Sequence, residues 1–455
     1  MGQPNDALAA LVEEARFSLA GLARRVVQLG KAIGLQLSYD YTAVHRWIKQ
    51  GQQPRTPGVP SLIAEALGER LGRRITPSDF GMTDEASLAA RALTYSPDLA
   101  ATVETVVELG RADVKRRKVI AAPFVVAALA SPSRDWLLNS LDGAVSERGP
   151  RRIGMRQIDG IREMFRLFQE MDVMRGGGHA RVALVEYMNS YVLPLVRREH
   201  AHDVQLALYE AAAEQTYLLG WMGYDDGQHG LGQRWLIQSL RLAEASGNRA
   251  LGAHVLAGMS DQANLLGYPR EALMLARAGQ RAITLDDSPA CMADLHVLEA
   301  RALASLGNGH EQDAVKAVVR AEQAFQQVVP DNEPEWARFI DQAYLFGEAA
   351  HAFRDLGDAT QIERFAGESS AEASRQKRAR RGALSQAALA VGDLHRGEVE
   401  AAAARATKVV GLAGTVSSSR CVETVRDLSK KLGPYDDTPL VQEFQHRARA
   451  FLQAA

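Results

Sequence analysis

"REALMLARAGQRAI", residues Arg270–Ile283, carries Ala272, Leu275, Ala276, Ala278 and Ala282 at helical spacing, near one another on one face. Side chains this small let a neighbouring helix approach closely, so the stretch predicts one arm of a helical hairpin. "LEARALASLGN" and "ALYEAAAEQTYLLGWMGYDD" repeat the theme. Around these stretches the turns are periodic. Candidate turn sites recur at Gly227, Gly267, Gly307, Gly357 and Gly397, at spacings of 40, 40, 50 and 40 residues. A second series falls between them, at Gly247, Ser288, Asn332, Gln376 and Ser417.

Each interval holds two helices of roughly 15 to 22 residues, and consecutive pairs look alike, which is the signature of an α-solenoid. The intervals exceed the roughly 34 residues of an ideal tetratricopeptide repeat, so lengthened, degenerate repeats of that kind are expected over residues 201–455. No single hairpin can bury its apolar face alone, so the array must stand as one body.

The N-terminal part reads differently. Residues 7–17, 18–33, 42–50 and 60–71 give four amphipathic segments separated by Gly, Pro and Ser. In "YDYTAVHRWIKQGQQPRTP", Tyr39–Pro57, Val44, Trp47 and Ile48 form an apolar stripe at i, i+3 and i+4, and Asp40 stands where a helix cap is expected. The preceding "SLAGLARRV" offers Ser18 as a cap and Leu19, Leu22, Ala23 and Val26 as a core face. A capped helix, a connection and a second helix with a basic, hydroxyl-rich outer face describe a helix-turn-helix. From Arg16 to Arg55 there are seven Lys or Arg and one acid, Asp40, in a chain whose net charge is −2. That asymmetry fits a polyanion-binding module.

On this reading Arg46 and Lys49 reach guanine edges or phosphates, Thr42 and Gln50 hydrogen-bond bases or backbone, and Tyr41 and His45 do either. Arg24, Arg25 and Arg55 meet phosphate and add salt-dependent affinity. A merely solvated basic face is the alternative. The expected division is a helix-turn-helix domain over 1–82, a helical linker or dimerisation region over 83–200, and the solenoid over 201–455.

"SLAGLARRV…YDYTAVHRWIKQGQQPRTPGVPSLIAEALGERLGRRIT" resembles the N-terminal domain of a large set of actinobacterial regulators, related to Xre-type helix-turn-helix proteins, that carry tetratricopeptide-like repeats behind it. "GWMGYDDGQHGLGQRWLIQSLRLAEASGNRALGAHVLAGMSDQANLLGYPREAL" and "EPEWARFIDQAYLFGEAAHAFRDLG" are similar to the repeat region of the same set. The connection at about residues 27–37 is longer than in the usual Xre pattern. Members include regulators of Streptomyces development and antibiotic production. The architecture is also similar to the RRNPP peptide-sensing regulators. The resemblance implies an all-α regulator, a repressor when bound to its double-stranded operator, acting as a homodimer and sensing a peptide or small molecule.

The first helices of the pairs are expected to line a concave face carrying Gln215, Trp221, His254, Gln262, Asn264, Gln342 and Tyr344. Amides there can clamp a peptide backbone and aromatics can take its side chains. A scaffold that sequesters a protein partner in that face is the competing reading.

No nucleophile elbow, HExxH or phosphate-loop pattern appears, so neither an enzyme nor a cofactor is expected. Two cysteines, Cys291 and Cys421, argue against a disulfide framework or a cysteine-rich zinc site. No run of about 18 apolar residues suggests a membrane span, and a cytoplasmic, nucleoid-associated location is expected. The triplet Gly176–Gly178 reads as a helix breaker, and "RQKRARR", Arg375–Arg381, as a solvated turn between two repeat helices.

Overall fold

The computed structural model describes the chain except residues 1–3, 33–35, 55, 57, 74, 83–84, 115–122, 143–154, 179, 308 and 455. Among the described residues it is all-helical, without strands. Two compact units divide it: residues 1–92 with 111–120, and residues 93–110 with 121–455.

The first unit contains α1 (Asp6–Glu14), α2 (Leu19–Ala32), α3 (Tyr41–Lys49), α4 (Val59–Leu71), a 3-10 turn (Pro77–Phe80) and α5 (Glu85–Arg91). The starts of the helices follow from caps. Asn5 Oδ1 accepts from Leu8 N at 2.9 Å and Ser18 Oγ from Gly21 N at 3.0 Å. Asp40 Oδ1 accepts from Thr42 N at 3.0 Å and Ala43 N at 3.2 Å. Each satisfies N–H groups that a helix start leaves without an internal partner. Helix α4 begins with Pro60 in its first turn and ends at Gly72, whose φ of 65° a β-carbon would strain. The core gathers Leu8, Leu22, Val26, Val44, Trp47, Ile48, Ile63, Leu67 and Phe80. Helix α2 packs on both α3 and α4. The long connection after α2 is fastened at Leu37, whose Cδ1 would lie 2.4 Å from a β-carbon on Gly30.

The second unit takes in α6 (Leu99–Val114) as far as Gly110 and continues with α7 (Ala130–Asp142) and α8 (Met155–Arg175). Helices α9 (Arg181–Tyr187) and α10 (Leu193–Val196) follow, joined by a π turn (Met188–Val192). Then come six antiparallel pairs: α11 (His202–Asp225) with α12 (His229–Ser246), α13 (Arg249–Leu265) with α14 (Pro269–Ala282), and α15 (Pro289–Leu306) with α16 (Glu311–Phe325). They continue as α17 (Gln342–Leu356) with α18 (Ala359–Arg375), α19 (Ala379–His395) with α20 (Val399–Ala413), and α21 (Ser419–Leu432) with α22 (Pro439–Ala454).

The turns fall where the glycine series places them. Gly227, Gly247, Gly267, Gly307, Gly357 and Gly397 all have φ between 71° and 82°. Helix α14 buries Ala272, Leu275, Ala276, Ala278 and Ala282. The interval between Gly307 and Gly357 is longer because residues 326–341 form an insertion with two 3-10 turns (Pro330–Asn332, Glu335–Ala337) that buries Trp336 and Ile340.

Two expectations change. Residues 83–200, expected as a helical linker or dimerisation region, divide between the two units: 83–92 and 111–120 fall in the first, and 93–110 and 121–200 in the same compact unit as the pairs. Helix α7 packs on α12, α13 and α14, and α8 packs on α11 and α19. Nor is the inner face open throughout. The first helices α11, α13, α15 and α19 are buried on nearly every side, because α8, the insertion and the ends of the array fill the space between them.

The closure is made by the glycine triplet. Arg175 O accepts from Ser417 N at 2.8 Å, and Asp225 accepts from Gly177 N at 3.0 Å and from Ser418 Oγ at 2.9 Å. A β-carbon on Gly176 would stand 2.1 Å from Ser417 O, and one on Gly177 2.5 Å from Met222 O. The triplet ends α8, as the sequence predicts, and it also lets three backbone segments meet where the first pair touches the last.

Candidate functional site

In the first unit the outer face of α3 is set by what its inner face buries. Ala43, Val44, Trp47 and Ile48 are in the core. Tyr39 packs edge-on against Trp47 with ring centroids 5.1 Å apart, and its hydroxyl bonds Thr56 Oγ1 at 3.1 Å. The helix can turn about its axis only by breaking this anchor, so Tyr41, His45, Arg46, Lys49 and Gln50 are held outward together, and all are exposed. Tyr41, at 59% exposure, is the most exposed of the large apolar and aromatic side chains. Among the described residues, the side chains of Tyr41, His45, Arg46 and Lys49 have no hydrogen-bond or ion-pair partner, so their donors are available to a ligand.

Three of the expected contacts read differently in the structure. Thr42 Oγ1 donates to Asp40 at 2.5 Å, which commits its proton to the cap and holds the Asp40 carboxyl below its ordinary range. Arg25 makes a two-pronged pair with Glu69 of α4, at 2.6 and 2.8 Å, which ties α2 to α4 at the surface. Gln50 Oε1 accepts from Gln52 at 3.0 Å. Arg24 is exposed and has no partner among the described residues, whereas Arg55 lies outside them.

In the second unit the seven residues expected on an open face separate. Gln215, His254 and Gln262 are fully buried and do not face solvent. Gln215 donates to Ile161 O at 2.9 Å and fastens α8, and Gln262 donates to His229 O at 3.0 Å. His254 is enclosed by Tyr217, Trp336 and Phe339, with centroids 4.2, 4.9 and 5.7 Å away, and burial pushes its pKa down to about 3. Asn264 is half-buried in the last turn of α13, and Gln342 donates to Glu368 at 3.0 Å near the surface. Only Trp221 and Tyr344 border an interior chamber, together with Asp172, Tyr217, Phe339, Arg380, Arg381 and Arg420.

That chamber is framed by buried charge. Arg380 bonds Asp225 at 2.6 Å and Asp172 at 2.9 Å; Arg301 bonds Glu348 at 2.6 Å and also Asp261; Arg381 bonds Glu348 at 2.9 Å and lies over the Tyr344 ring. Burial opposes ionisation of Glu348, but Arg301 and Arg381 overcome it and hold the carboxyl below its ordinary range. Asp294 has no such cation at hydrogen-bond range. Burial raises it to about 8 although it accepts from Tyr344 Oη at 3.0 Å, so it is largely protonated at neutral pH.

None of these charges stands out in sequence. The run Arg375–Arg381, read as a solvated turn, instead places Arg380 and Arg381 in the interior and pairs Arg378 with Asp341 at 2.8 Å. Their partners are distant in the chain, so sequence spacing offered no signal.

Residues 8–83 match a family model described as SP15 N-terminal domain, a span that takes in most of α1 and all of α2, α3 and α4. No curated protein matches the chain.

Proposed function

We propose that the protein is a DNA-binding transcriptional regulator, a repressor in its DNA-bound form, with α2 and α3 acting as a helix-turn-helix and the tetratricopeptide-like pairs acting as a sensor. The observation that carries this reading is the outer face of α3. A rigidly anchored, capped helix presents Tyr41, His45, Arg46 and Lys49 with no internal partner, and such a helix is what major-groove readout requires. Arg24, without a partner among the described residues, adds a further cation on the preceding helix, suited to phosphate. Two chains pairing as a homodimer would set two such helices about one turn of duplex apart, and a small molecule in the helical pairs would bias the arrangement of the two heads.

The test is selection of bound duplexes from random DNA by the full-length protein and by an Arg46→Ala/Lys49→Ala variant. An enriched two-fold-symmetric motif that disappears in the variant supports the reading. Failure to enrich any duplex at low salt sinks it and turns the search to a protein partner.

A further inference from the structure

A cleft of about 620 Å³ opens beside the buried charges, bordered by Tyr224, Leu266, Arg301, His351, Val391 and Arg420 among others. Its size is that of a small-molecule site. Its lining includes the apolar side chains Leu265, Leu266, Val391 and Leu428. Charged side chains line it too, and nearly all of them are ion-paired within the protein. Arg301 is held by Asp261 and Glu348, and Arg354 bonds Asp355 at 2.8 Å. Asp226 lies 3.6 Å from Arg181, Asp427 lies 3.8 Å from Lys431, and Glu423 pairs with Arg426.

Arg420 is the exception. Its residue is only 7% exposed, yet among the described residues its guanidinium forms no ion pair and donates no hydrogen bond. Its charge is answered at longer range by Asp225, Asp261 and Glu348, and its contacts are aromatic: the guanidinium carbon lies 5.0 Å from the ring centre of Tyr224 and 5.7 Å from that of Trp221. Stacking engages the faces of a guanidinium and leaves its in-plane N–H donors unused. This group borders both the cleft and the inner chamber, where a ligand's oxygens would meet its N–H donors. His351 faces the same cleft and is kept neutral by burial, with the Arg354 cation beside it reinforcing the effect, so it adds no charge.

We propose that this cleft binds a small organic acid, its carboxylate on the in-plane donors of Arg420 and its apolar body against Leu265, Leu266, Val391 and Leu428. A carboxylate fits the guanidinium fork with two parallel hydrogen bonds. A monoanion is favoured over a phosphate dianion because a single guanidinium offers its donors here, and Asp226, Glu423 and Asp427, which also line the cleft, disfavour a second negative charge. The assignment names the effector class of the sensor and rests on the regulatory reading for its biological meaning, although the binding itself requires no DNA.

The test is isothermal titration of the full-length chain, without DNA, using straight-chain carboxylates from butyrate to decanoate and benzoate, with 1-octanol and inorganic phosphate as controls. At least one acid should bind saturably, and 1-octanol should bind roughly 10- to 100-fold more weakly than octanoate, the worth of a charged hydrogen bond. Arg420→Met should weaken the acid by a similar factor, and Arg420→Lys, which keeps charge and loses the fork, by less. Because Arg420 is buried, Leu265→Glu at the exposed rim gives a second variant that leaves the core alone and should also weaken the acid.

Equal binding of octanol and octanoate, preference for phosphate, undiminished binding by a folded Arg420→Met chain, or no binding by any acid up to about 10 mM overturns the proposal. Duplex selection on the same preparation separates the two readings. Acid binding without duplex binding leaves the cleft assignment standing and removes the regulator, and duplex binding without acid binding does the reverse.

Discussion

Arg380 joins Asp225 through Nη1 at 2.6 Å and Asp172 through Nη2 at 2.9 Å, so one guanidinium on α19 ties the end of α11 to α8 inside the second unit. All three side chains are buried. Removing the cation leaves two carboxylates in a low-dielectric interior, which costs far more than the pair contributes when intact. Arg380→Leu should therefore lower the unfolding free energy of the second unit by about 3–5 kcal/mol, read as a shift of its denaturant midpoint. A loss below about 1 kcal/mol would mean that water reaches these carboxylates.

The glycine triplet predicts a contrast between two identical substitutions. Gly177→Ala would drive a β-carbon to 2.5 Å from Met222 O and 2.8 Å from Met222 Cα, both backbone atoms that cannot step aside. Gly160→Ala in α8 meets nothing within 4 Å and should stabilise by about 0.5–1 kcal/mol through helix propensity. Calorimetry should show the first melting well below the parent chain and the second at or above it.

Two buried groups give stability a signed pH dependence. His254 has its pKa lowered to about 3, so the folded state resists a proton that the unfolded chain accepts below its ordinary value near 6.5. This contribution is lost as pH falls from about 6.5 toward 3. Asp294 is raised to about 8, so its contribution is complete below the ordinary carboxylate range and is lost as pH rises toward 8. Asp294→Asn keeps the size and an acceptor for Tyr344. It should flatten the decline in stability between pH 5 and pH 8, roughly a few kcal/mol at most, measured by urea denaturation across that interval.

On α3 the inner and outer faces should separate stability from binding. Trp47→Ala empties the centre of the first unit and should cost about 3–5 kcal/mol. Arg46→Ala and Lys49→Ala leave melting unchanged, since neither side chain has a partner to lose. Each phosphate contact removed should reduce the salt dependence of duplex affinity by about one power of salt concentration, read from binding isotherms at several ionic strengths. An unchanged slope in both variants would place these cations away from the duplex.

Periodicity and turn chemistry were legible in the sequence because they are local. The glycine series marks the left-handed turns from Gly227 to Gly397, Asp40 and Ser18 stand where helices begin, and Val44, Trp47 and Ile48 face inward. Each depends only on a residue and its near neighbours, which the 3.6-residue period brings together. What the sequence could not disclose is which charges are buried, because a charge survives burial only beside a partner, and the partners here are brought in by folding. Arg380 reads as surface until Asp172 and Asp225 arrive from α8 and α11, Arg25 shows no partner until Glu69 comes from α4, and Arg420 is one arginine among many until Trp221 and Tyr224 stack on it. Helices and their order were set locally. The chamber, the cleft and the arginine stacked at their border were decided by the closing of the last pair onto the first.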